Sequence, residues 1–138
     1  MSSKPLHILI AEDDEDDLEL ISSSFKNNNR FNKVDTVKDG VELMNYLHAN
    51  RTQLPDVILT DLNMPKKDGY ESLQEICLDA DFSRVPVFVY STTLNPLYIL
   101  KCRNLGAVDF VLKPFKLEEI EAIPERIGLS LNKAISSN

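Results

Sequence analysis

Short apolar runs alternate along the chain with longer segments in which apolar residues recur at helical spacing. Five of the short runs have the β-branched, aromatic and aliphatic content typical of strands. The third and fourth runs are apolar at nearly every position, which is typical of strands buried on both faces of a parallel sheet. The five predicted strands are residues 7–11, 33–37, 57–60, 85–90 and 110–112.

The segments after these runs have the apolar periodicity of amphipathic helices. In the first segment Leu18, Ile21 and Phe25 fall on one helical face, and the later segments repeat this spacing. Pro96 stands where the fourth helix should begin, and Gly106 stands where it should end. Strands that each precede a helix predict an α/β fold with a doubly wound parallel sheet and right-handed crossovers.

A proline interrupts the last predicted helix. Pro124 cannot donate a hydrogen bond to the carbonyl of Ile120, and its ring crowds that carbonyl. We therefore expect a short helix over residues 117–122. A second turn should restart with Pro124 at its first position, where the missing N–H costs little, and end at Gly128.

The length and composition fit one domain followed by a short tail. The chain has 138 residues, of which 43% are hydrophobic, and this is enough for a core. We expect a single domain over residues 1–128 and a C-terminal tail over residues 129–138. The tail would leave three apolar residues free to contact a partner or a second copy of the chain, namely Leu129, Leu131 and Ile135.

The charge limits the classes of partner. A net charge of -7 argues against direct nucleic-acid binding, which requires a basic face, and against an anionic membrane surface. No apolar run approaches the ~20 residues of a membrane span, and the N-terminal segment does not fit a secretory signal. We therefore expect a cytoplasmic protein in which Cys77 and Cys102 are reduced thiols.

Polar residues follow directly at the ends of four predicted strands. The carboxyl ends of parallel strands lie on one edge of a sheet, and ligands of such folds bind beyond that edge. We therefore expect four distant segments to converge on one cleft. In chain order the residues at these ends are Glu12, Asp13 and Asp14, then Thr60 and Asp61, then Ser91 and Thr92, then Lys113 and Pro114.

Carboxylates in such a cleft predict a cation and phosphate chemistry. Asp13, Asp14 and Asp61 would repel one another, and Mg2+, which accepts a few carboxylates, retained waters and a phosphate, relieves the repulsion. An aspartate can itself accept a phosphoryl group, and such transfer needs mainly positioning and neutralisation of charge. Lys113 would neutralise charge there, and Ser91 would donate a hydrogen bond to a phosphoryl oxygen.

Each of these residues also has an ordinary structural explanation. Acids in the first turn of a helix complement its dipole, and this explanation suits Glu15, Asp16 and Asp17 best. Asp61 taken alone is compatible with a turn residue. The specific signal is the joint pattern, because all four strand ends carry suitable groups.

Four motifs, in this order, resemble those of response-regulator receiver domains. The resemblance covers about residues 6–123 and implies a flavodoxin-like (βα)5 sheet with strand order 2-1-3-4-5. The motifs are ILIAEDD at 8–14, DLNMP at 61–65 with Asp-Gly at 68–69, PVFVYS at 86–91 and GAVDFVLKPF at 106–115.

The resemblance implies a role for each residue of the site. Asp61 would be the phosphoacceptor, assisted by Lys113 and by the switch hydroxyl of Ser91. Phe110 would be the aromatic residue that changes rotamer with Ser91. The Mg2+ ligands would be the side chains of Asp13, Asp14 and Asp61 and the backbone carbonyl of Asn63.

The resemblance further implies a signalling module, not an enzyme, with its own phosphoryl-transfer and autodephosphorylation chemistry. A sensor histidine kinase or a phosphotransfer protein would supply the phosphoryl group. The modified chain would switch its binding to a downstream protein target, with a homodimer through helix 4, strand 5 and helix 5 as one arrangement. Residues 50–56, 61–69 and 91–93 are similar to those of stand-alone regulators that serve bacterial phytochrome-type kinases.

Three positions bear on how closely the chain follows the family. Thr92 stands where Ala or Gly is usual beside the switch hydroxyl, and its bulk affects phosphoryl turnover. Phe110 lacks the hydroxyl that a tyrosine would bring. The peptide bond between Lys113 and Pro114 is expected to be cis, as is usual in the family.

Three other functions share some of these features. A haloacid-dehalogenase-type phosphatase also uses a strand-ending Asp with Mg2+, but it needs a second Asp where this chain has Asn63. A pseudo-receiver would bind partners without phosphorylation, and an intact Asp61 and Lys113 argue against it. A flavodoxin-like protein would need a phosphate-binding loop after the first strand, where the acids at 12–14 would repel a flavin phosphate.

Overall fold

The computed structural model describes residues 4–62, 69–93 and 95–136, with side chains as far as residue 132. Strands and helices alternate through these ranges, and a short 3-10 helix, Phe82–Arg84, precedes the fourth strand. The strands are β1 (Leu6–Ala11), β2 (Phe31–Val37), β3 (Val57–Thr60), β4 (Val87–Ser91) and β5 (Asp109–Leu112). The helices are α1 (Glu15–Lys26), α2 (Gly40–Ala49), α3 (Gly69–Leu78), α4 (Pro96–Leu105), α5 (Leu117–Glu121) and α6 (Ile123–Ser136).

The five strands form one parallel sheet in the order β2-β1-β3-β4-β5. The fold class and the strand order expected from the sequence are therefore confirmed. Every residue of β3 and β4 is buried, as the unbroken apolar runs indicate. The order reverses at β1, which pairs with β2 on one side and with β3 on the other.

The sheet separates two apolar layers. Because side chains alternate along a strand, Leu9 and Ala11 face one layer while Ile8 and Ile10 face the other. The first layer contains core residues of α2, α3 and α4, and the second contains those of α1, α5 and α6. Helices thus cover both faces, and the ends of the strands are left to build the site.

Polar caps fix where the helices begin and end. Asp14 and Asp39 accept backbone N–H bonds of the first turns of α1 and α2, at 2.9 and 2.8 Å. Asn95 caps α4 in the same way, with Pro96 in the first turn. Gly106 ends α4 at a φ of 113°, a conformation that favours glycine.

The predicted break before Pro124 is confirmed. Helix α5 ends at Glu121, and α6 begins again at Ile123, so that Pro124 lies in the first turn of the new helix. The prediction that Gly128 ends this turn is wrong, because α6 continues to Ser136. The division of the chain after residue 128 into a domain and a tail stays a prediction.

The apolar face of α6 explains why the helix continues. Ile123, Ile127 and Leu131 are 4%, 0% and 7% exposed and belong to the layer shared with α1. Their burial outweighs the roughly 1 kcal/mol that a glycine costs inside a helix. Leu131 was expected to be free and is instead part of the core, whereas Leu129 is 46% exposed. The side chain of Ile135 lies outside the described residues.

Gly128 has a packing role inside α6. The side chain of Arg30 crosses this helix, and a Cβ atom at position 128 would lie 2.6 Å from its Cδ. The guanidinium of Arg30 donates two hydrogen bonds to the Glu125 carboxylate, each 3.0 Å long. A glycine therefore lets α6 approach the residues before β2 closely.

Within the described ranges, no helix combines the length and the apolar character needed to cross a membrane.

We predict that Ile127→Ala lowers the free energy of unfolding by about 2–5 kcal/mol, because it removes a fully buried side chain. Leu129→Ala, on the exposed side of the same helix, should change it by no more than about 0.5 kcal/mol. Urea denaturation followed by circular dichroism measures both values. Equal effects of the two substitutions would show that α6 does not pack on the sheet as described.

Candidate functional site

A lysine and several carboxylates meet beyond the carboxyl ends of the strands. Lys113, which follows β5, places its Nζ 2.9 Å from Oδ2 of Asp61, which follows β3. The same Nζ is 2.6 Å from Oε2 of Glu12, which follows β1, and 3.5 Å from Oδ2 of Asp17 in α1. The strand ends therefore converge as the sequence predicts.

Backbone hydrogen bonds hold these strand ends in register. The N–H of Asp61 donates to the carbonyl of Ala11 at 3.0 Å, and this bond fixes the end of β3 beside the end of β1. The N–H of Lys113 donates to the carbonyl of Ser91 at 2.8 Å, which does the same for β5 and β4. The positions of Asp61 and Lys113 are thus set by the sheet itself.

Three carboxylates form a group that could hold a cation. Oxygens of Glu12, Asp13 and Asp61 lie within 4.8 Å of one another. Two of these residues are buried, with Glu12 1% and Asp61 7% exposed, and Asp13 opens to solvent. Carboxylates at this spacing suit a hard divalent ion that retains waters on its open side.

The carboxylate group in the structure differs in one member from the predicted ligand set. Asp14 caps α1, with its carboxylate accepting the N–H of Asp17 at 2.9 Å, whereas Glu12 lies in the carboxylate group. Glu12 is among the residues expected at the end of the first strand, but it is not among the expected ligands. The end of β1 at Ala11 is the feature that points to Glu12. The residue directly after the strand is the first whose side chain can enter the cleft. Asn63, expected to give its carbonyl, lies outside the described residues.

Burial and charge act together on Glu12 and Lys113. Burial raises the pKa of the Glu12 carboxyl to about 7, although hydrogen bonds from Lys113 and from the Asp14 backbone act in the opposite direction. Burial by itself would lower the pKa of Lys113, but its contacts with Glu12 and Asp61 outweigh this effect and raise it. Lys113 is therefore a permanent cation at the base of the cleft.

The hydroxyl of Ser91 is engaged with the backbone of the following loop. Ser91 is 3% exposed, and its Oγ donates to the carbonyl of Thr93 at 3.0 Å and accepts the N–H of Thr93 at 3.1 Å. Phe110 is 4% exposed and packs in the layer with α4, where the Arg103 guanidinium lies 5.3 Å from the centre of its ring. In this conformation the ring already points inward.

The peptide bond between Lys113 and Pro114 is trans, so the expectation of a cis bond is wrong for this structure. The trans isomer is the ordinary one even before proline. Beside Lys113 the chain forms an open cavity of about 210 Å3, whose lining includes Asp17 and Thr92.

Comparison with known proteins decides the family. The family described as Response regulator receiver domain matches residues 8–125, which is most of the chain. The chain belongs to the response-regulator receiver domain family. Receiver domains of this family belong to two-component signalling systems, in which they take phosphoryl groups from histidine kinases and act on downstream targets.

Individual relatives differ in how much of their length they share with this receiver domain. The response regulator Rcp1 of Synechocystis sp. is 33% identical over 123 residues, covering 86% of this chain and 84% of Rcp1. The two-component response regulator ORR1 of Oryza sativa is 33% identical over 90 residues, covering 65% of this chain. The match to ORR1 spans only 39% of that longer protein.

Two solved structures have the same fold over nearly the whole receiver domain. The phosphorylated cyanobacterial phytochrome response regulator RcpA has a TM-score of 0.81 and 37% identity, covering 90% of this chain and 91% of RcpA. The Mn2+-bound form of Rcp1 has a TM-score of 0.79 and 30% identity, covering 89% and 91% of the two chains.

We predict that Glu12 makes the metal-free protein less stable as the pH rises. Its pKa is about 7 in the folded state and about 4.5 when unfolded. The folded state therefore binds the proton more tightly, and this contribution, up to about 3 kcal/mol, is present below pH 4.5 and is lost between pH 4.5 and 7.

Urea denaturation in EDTA at several pH values between 5 and 8 measures this slope. Glu12→Gln, which mimics the protonated carboxyl, should flatten it, whereas Glu19→Gln, on the exposed side of α1, should leave it unchanged. A wild-type stability that rises with pH over this interval would contradict the assignment.

Proposed function

We propose that this chain is a single-domain response regulator that accepts a phosphoryl group on Asp61, with Mg2+ as cofactor, and then switches its binding to a partner. The observation that carries the proposal is the 2.9 Å contact between the Lys113 ammonium and the Asp61 carboxylate within the carboxylate group. This contact places a fixed positive charge beside the oxygen atoms of the acceptor.

The transfer step follows from this arrangement. A carboxylate oxygen of Asp61 attacks the phosphorus of a phosphohistidine on the kinase or phosphotransfer protein. The new O–P bond forms as the P–N bond breaks, and the imidazole leaves with the electron pair and takes a proton. Lys113 would follow the phosphoryl oxygens and balance their charge, because its ammonium is already within hydrogen-bonding distance of Asp61.

The cation site is proposed for Mg2+. The existence of a Mn2+-bound form of Rcp1 supports binding of a divalent ion, and a few carboxylates with several waters suit Mg2+. When bound, the ion neutralises charge on the acceptor and on the phosphoryl oxygens. Glu12, Asp13 and Asp61 would hold it, with the backbone carbonyl of Asn63 as a further proposed ligand.

The lifetime of the phosphorylated state would depend on Thr92. This residue follows β4, is exposed and lines the cavity beside Lys113. Its side chain is larger than the Ala or Gly usual at this position and would restrict the approach of water to an aspartyl phosphate. We therefore propose that autodephosphorylation takes place at this site and is slowed by Thr92.

The output surface is proposed at α4, β5 and α5. Three large apolar residues there are exposed, with Leu97 at 79%, Leu100 at 55% and Leu112 at 52%, as is typical of a surface that binds a protein. A downstream target or a second copy of the chain would cover them. The likeness to the cyanobacterial phytochrome response regulator RcpA supports a kinase of the phytochrome type as the source of the phosphoryl group.

We predict that Asp61→Asn abolishes phosphorylation. Incubation with Mg2+ and acetyl phosphate should add one phosphoryl group to the wild-type chain, as seen by intact mass measurement, because the carboxylate is the nucleophile. Asp16→Asn, which changes an exposed acid in the same way, should leave the adduct unchanged. An adduct on Asp61→Asn at the wild-type level would show that the acceptor is another residue.

We predict that Mg2+ stabilises the protein, since an ion bound only by the folded state adds RT ln(1 + [Mg2+]/Kd). At about ten times Kd this is about 1.4 kcal/mol, or a rise in melting temperature of roughly 3–6 °C. Asp13→Asn should reduce the rise, and Asp16→Asn should not. A melting temperature that stays constant across a Mg2+ titration of the wild type would count against the site.

A further inference from the structure

The position of Phe110 raises the question of which group moves when the site is phosphorylated. The inference that follows rests on the proposed phosphorylation of Asp61. The ring of Phe110 is 4% exposed and already packs against α4, so an inward turn of this ring is not the change available to this conformation. When the Ser91 hydroxyl is drawn toward a phosphoryl oxygen, a different group beside Ser91 would have to change its position or its hydrogen bonds.

The hydroxyl of Tyr98 is such a group. It is buried and makes no hydrogen bond of ordinary geometry within the described part of the chain, which is unfavourable for a polar atom. Burial raises its pKa to about 12, and the neighbouring Ser91 hydroxyl acts in the opposite direction. The ring of Tyr98 is held edge-to-face by that of Tyr70, with the ring centres 6.1 Å apart.

The hydrogen-bonding capacity of Ser91 shows what Tyr98 can do. A serine hydroxyl has one proton to donate, and Ser91 gives it to the carbonyl of Thr93 at 3.0 Å. If that proton turns toward a phosphoryl oxygen, the Thr93 carbonyl loses its donor. Tyr98 has a phenolic proton and lies beside Ser91, so it can supply the missing bond or follow the Ser91 oxygen.

The position of Tyr98 in the first turn of α4 links its hydroxyl to the proposed output surface. Tyr98 is in the first turn of α4, where its N–H donates to the capping side chain of Asn95 at 2.9 Å. The adjacent Leu97 is 79% exposed on the proposed output surface. A shift of the Tyr98 hydroxyl would therefore act on the turn that carries part of that surface.

We propose that Tyr98 is a positioning residue of the phosphorylation switch, and that its buried hydroxyl takes up a hydrogen bond when Ser91 turns toward the phosphoryl group. The bond couples the occupied site to the first turn of α4. Phe110 keeps its position in the apolar layer with α4, where its ring lies near Arg103 of the last turn.

The test uses the full chain, Mg2+ and beryllofluoride, with Tyr98→Phe as the variant that removes only the hydroxyl. Tyr46→Phe is the matched control, because that hydroxyl bonds to Asp35 and His7 at the opposite end of β1. Amide NMR shifts of residues 95–101 on adding beryllofluoride should fall to less than about half of the wild-type shifts in Tyr98→Phe. They should stay unchanged in Tyr46→Phe, and acetyl phosphate should still modify Asp61 in both variants.

A second measurement does not depend on how the variant folds. In wild-type protein with 13C-labelled tyrosine, the Cζ resonance of Tyr98 should move when beryllofluoride binds, since its hydroxyl gains a hydrogen bond. A normal adduct on Asp61 with an unmoved Tyr98 resonance and wild-type shifts in Tyr98→Phe would overturn this inference alone. Failure of the wild type to form an adduct or to bind beryllofluoride would overturn the proposed function and the inference with it.

Discussion

The site depends on one buried ammonium group. Lys113 extends from the edge of the sheet to carboxylates that follow β1 and β3, with contacts of 2.6 Å to Glu12 and 2.9 Å to Asp61. Two buried carboxylates this close would repel each other, and removing their common cation would leave buried charges uncompensated. The ammonium thus holds three strand ends together before any metal or phosphoryl group arrives. The same group is then in place to balance the charge of a phosphoryl group.

The sheet makes this arrangement possible because its central strands carry apolar residues on both faces. The alternation along β1 sends Ile8 and Ile10 to one apolar layer and Leu9 and Ala11 to the other, so both faces must be covered by helices. Polar groups can then collect where the strands end. The bond from the Asp61 N–H to the Ala11 carbonyl shows that the acceptor is positioned by the sheet's own hydrogen bonding.

Much of the fold could be predicted from the sequence, because strand burial, helix caps and the break before Pro124 are local properties of the chain. Two differences between the expectation and the structure have physical reasons. The acids that form the carboxylate group begin one residue earlier than expected, since Asp14 caps α1 while Glu12 enters the cleft. Gly128 was expected to end a helix, but the burial of Ile127 and Leu131, which is a tertiary effect, carries the helix past it.

Charge compensation within the cleft also indicates how a signal can leave it. A divalent ion and Lys113 would neutralise much of an added phosphoryl charge on the spot, so little of the change in field reaches the output surface. A change in hydrogen bonding is not neutralised in this way. Ser91 has a single hydroxyl proton, which it donates to the Thr93 carbonyl at 3.0 Å. Giving that proton to a phosphoryl oxygen obliges the next buried donor to rearrange. Tyr98 is in the first turn of α4, and its hydroxyl is buried beside Ser91. A rearrangement of this hydroxyl would therefore be passed to the helix that forms part of the output surface.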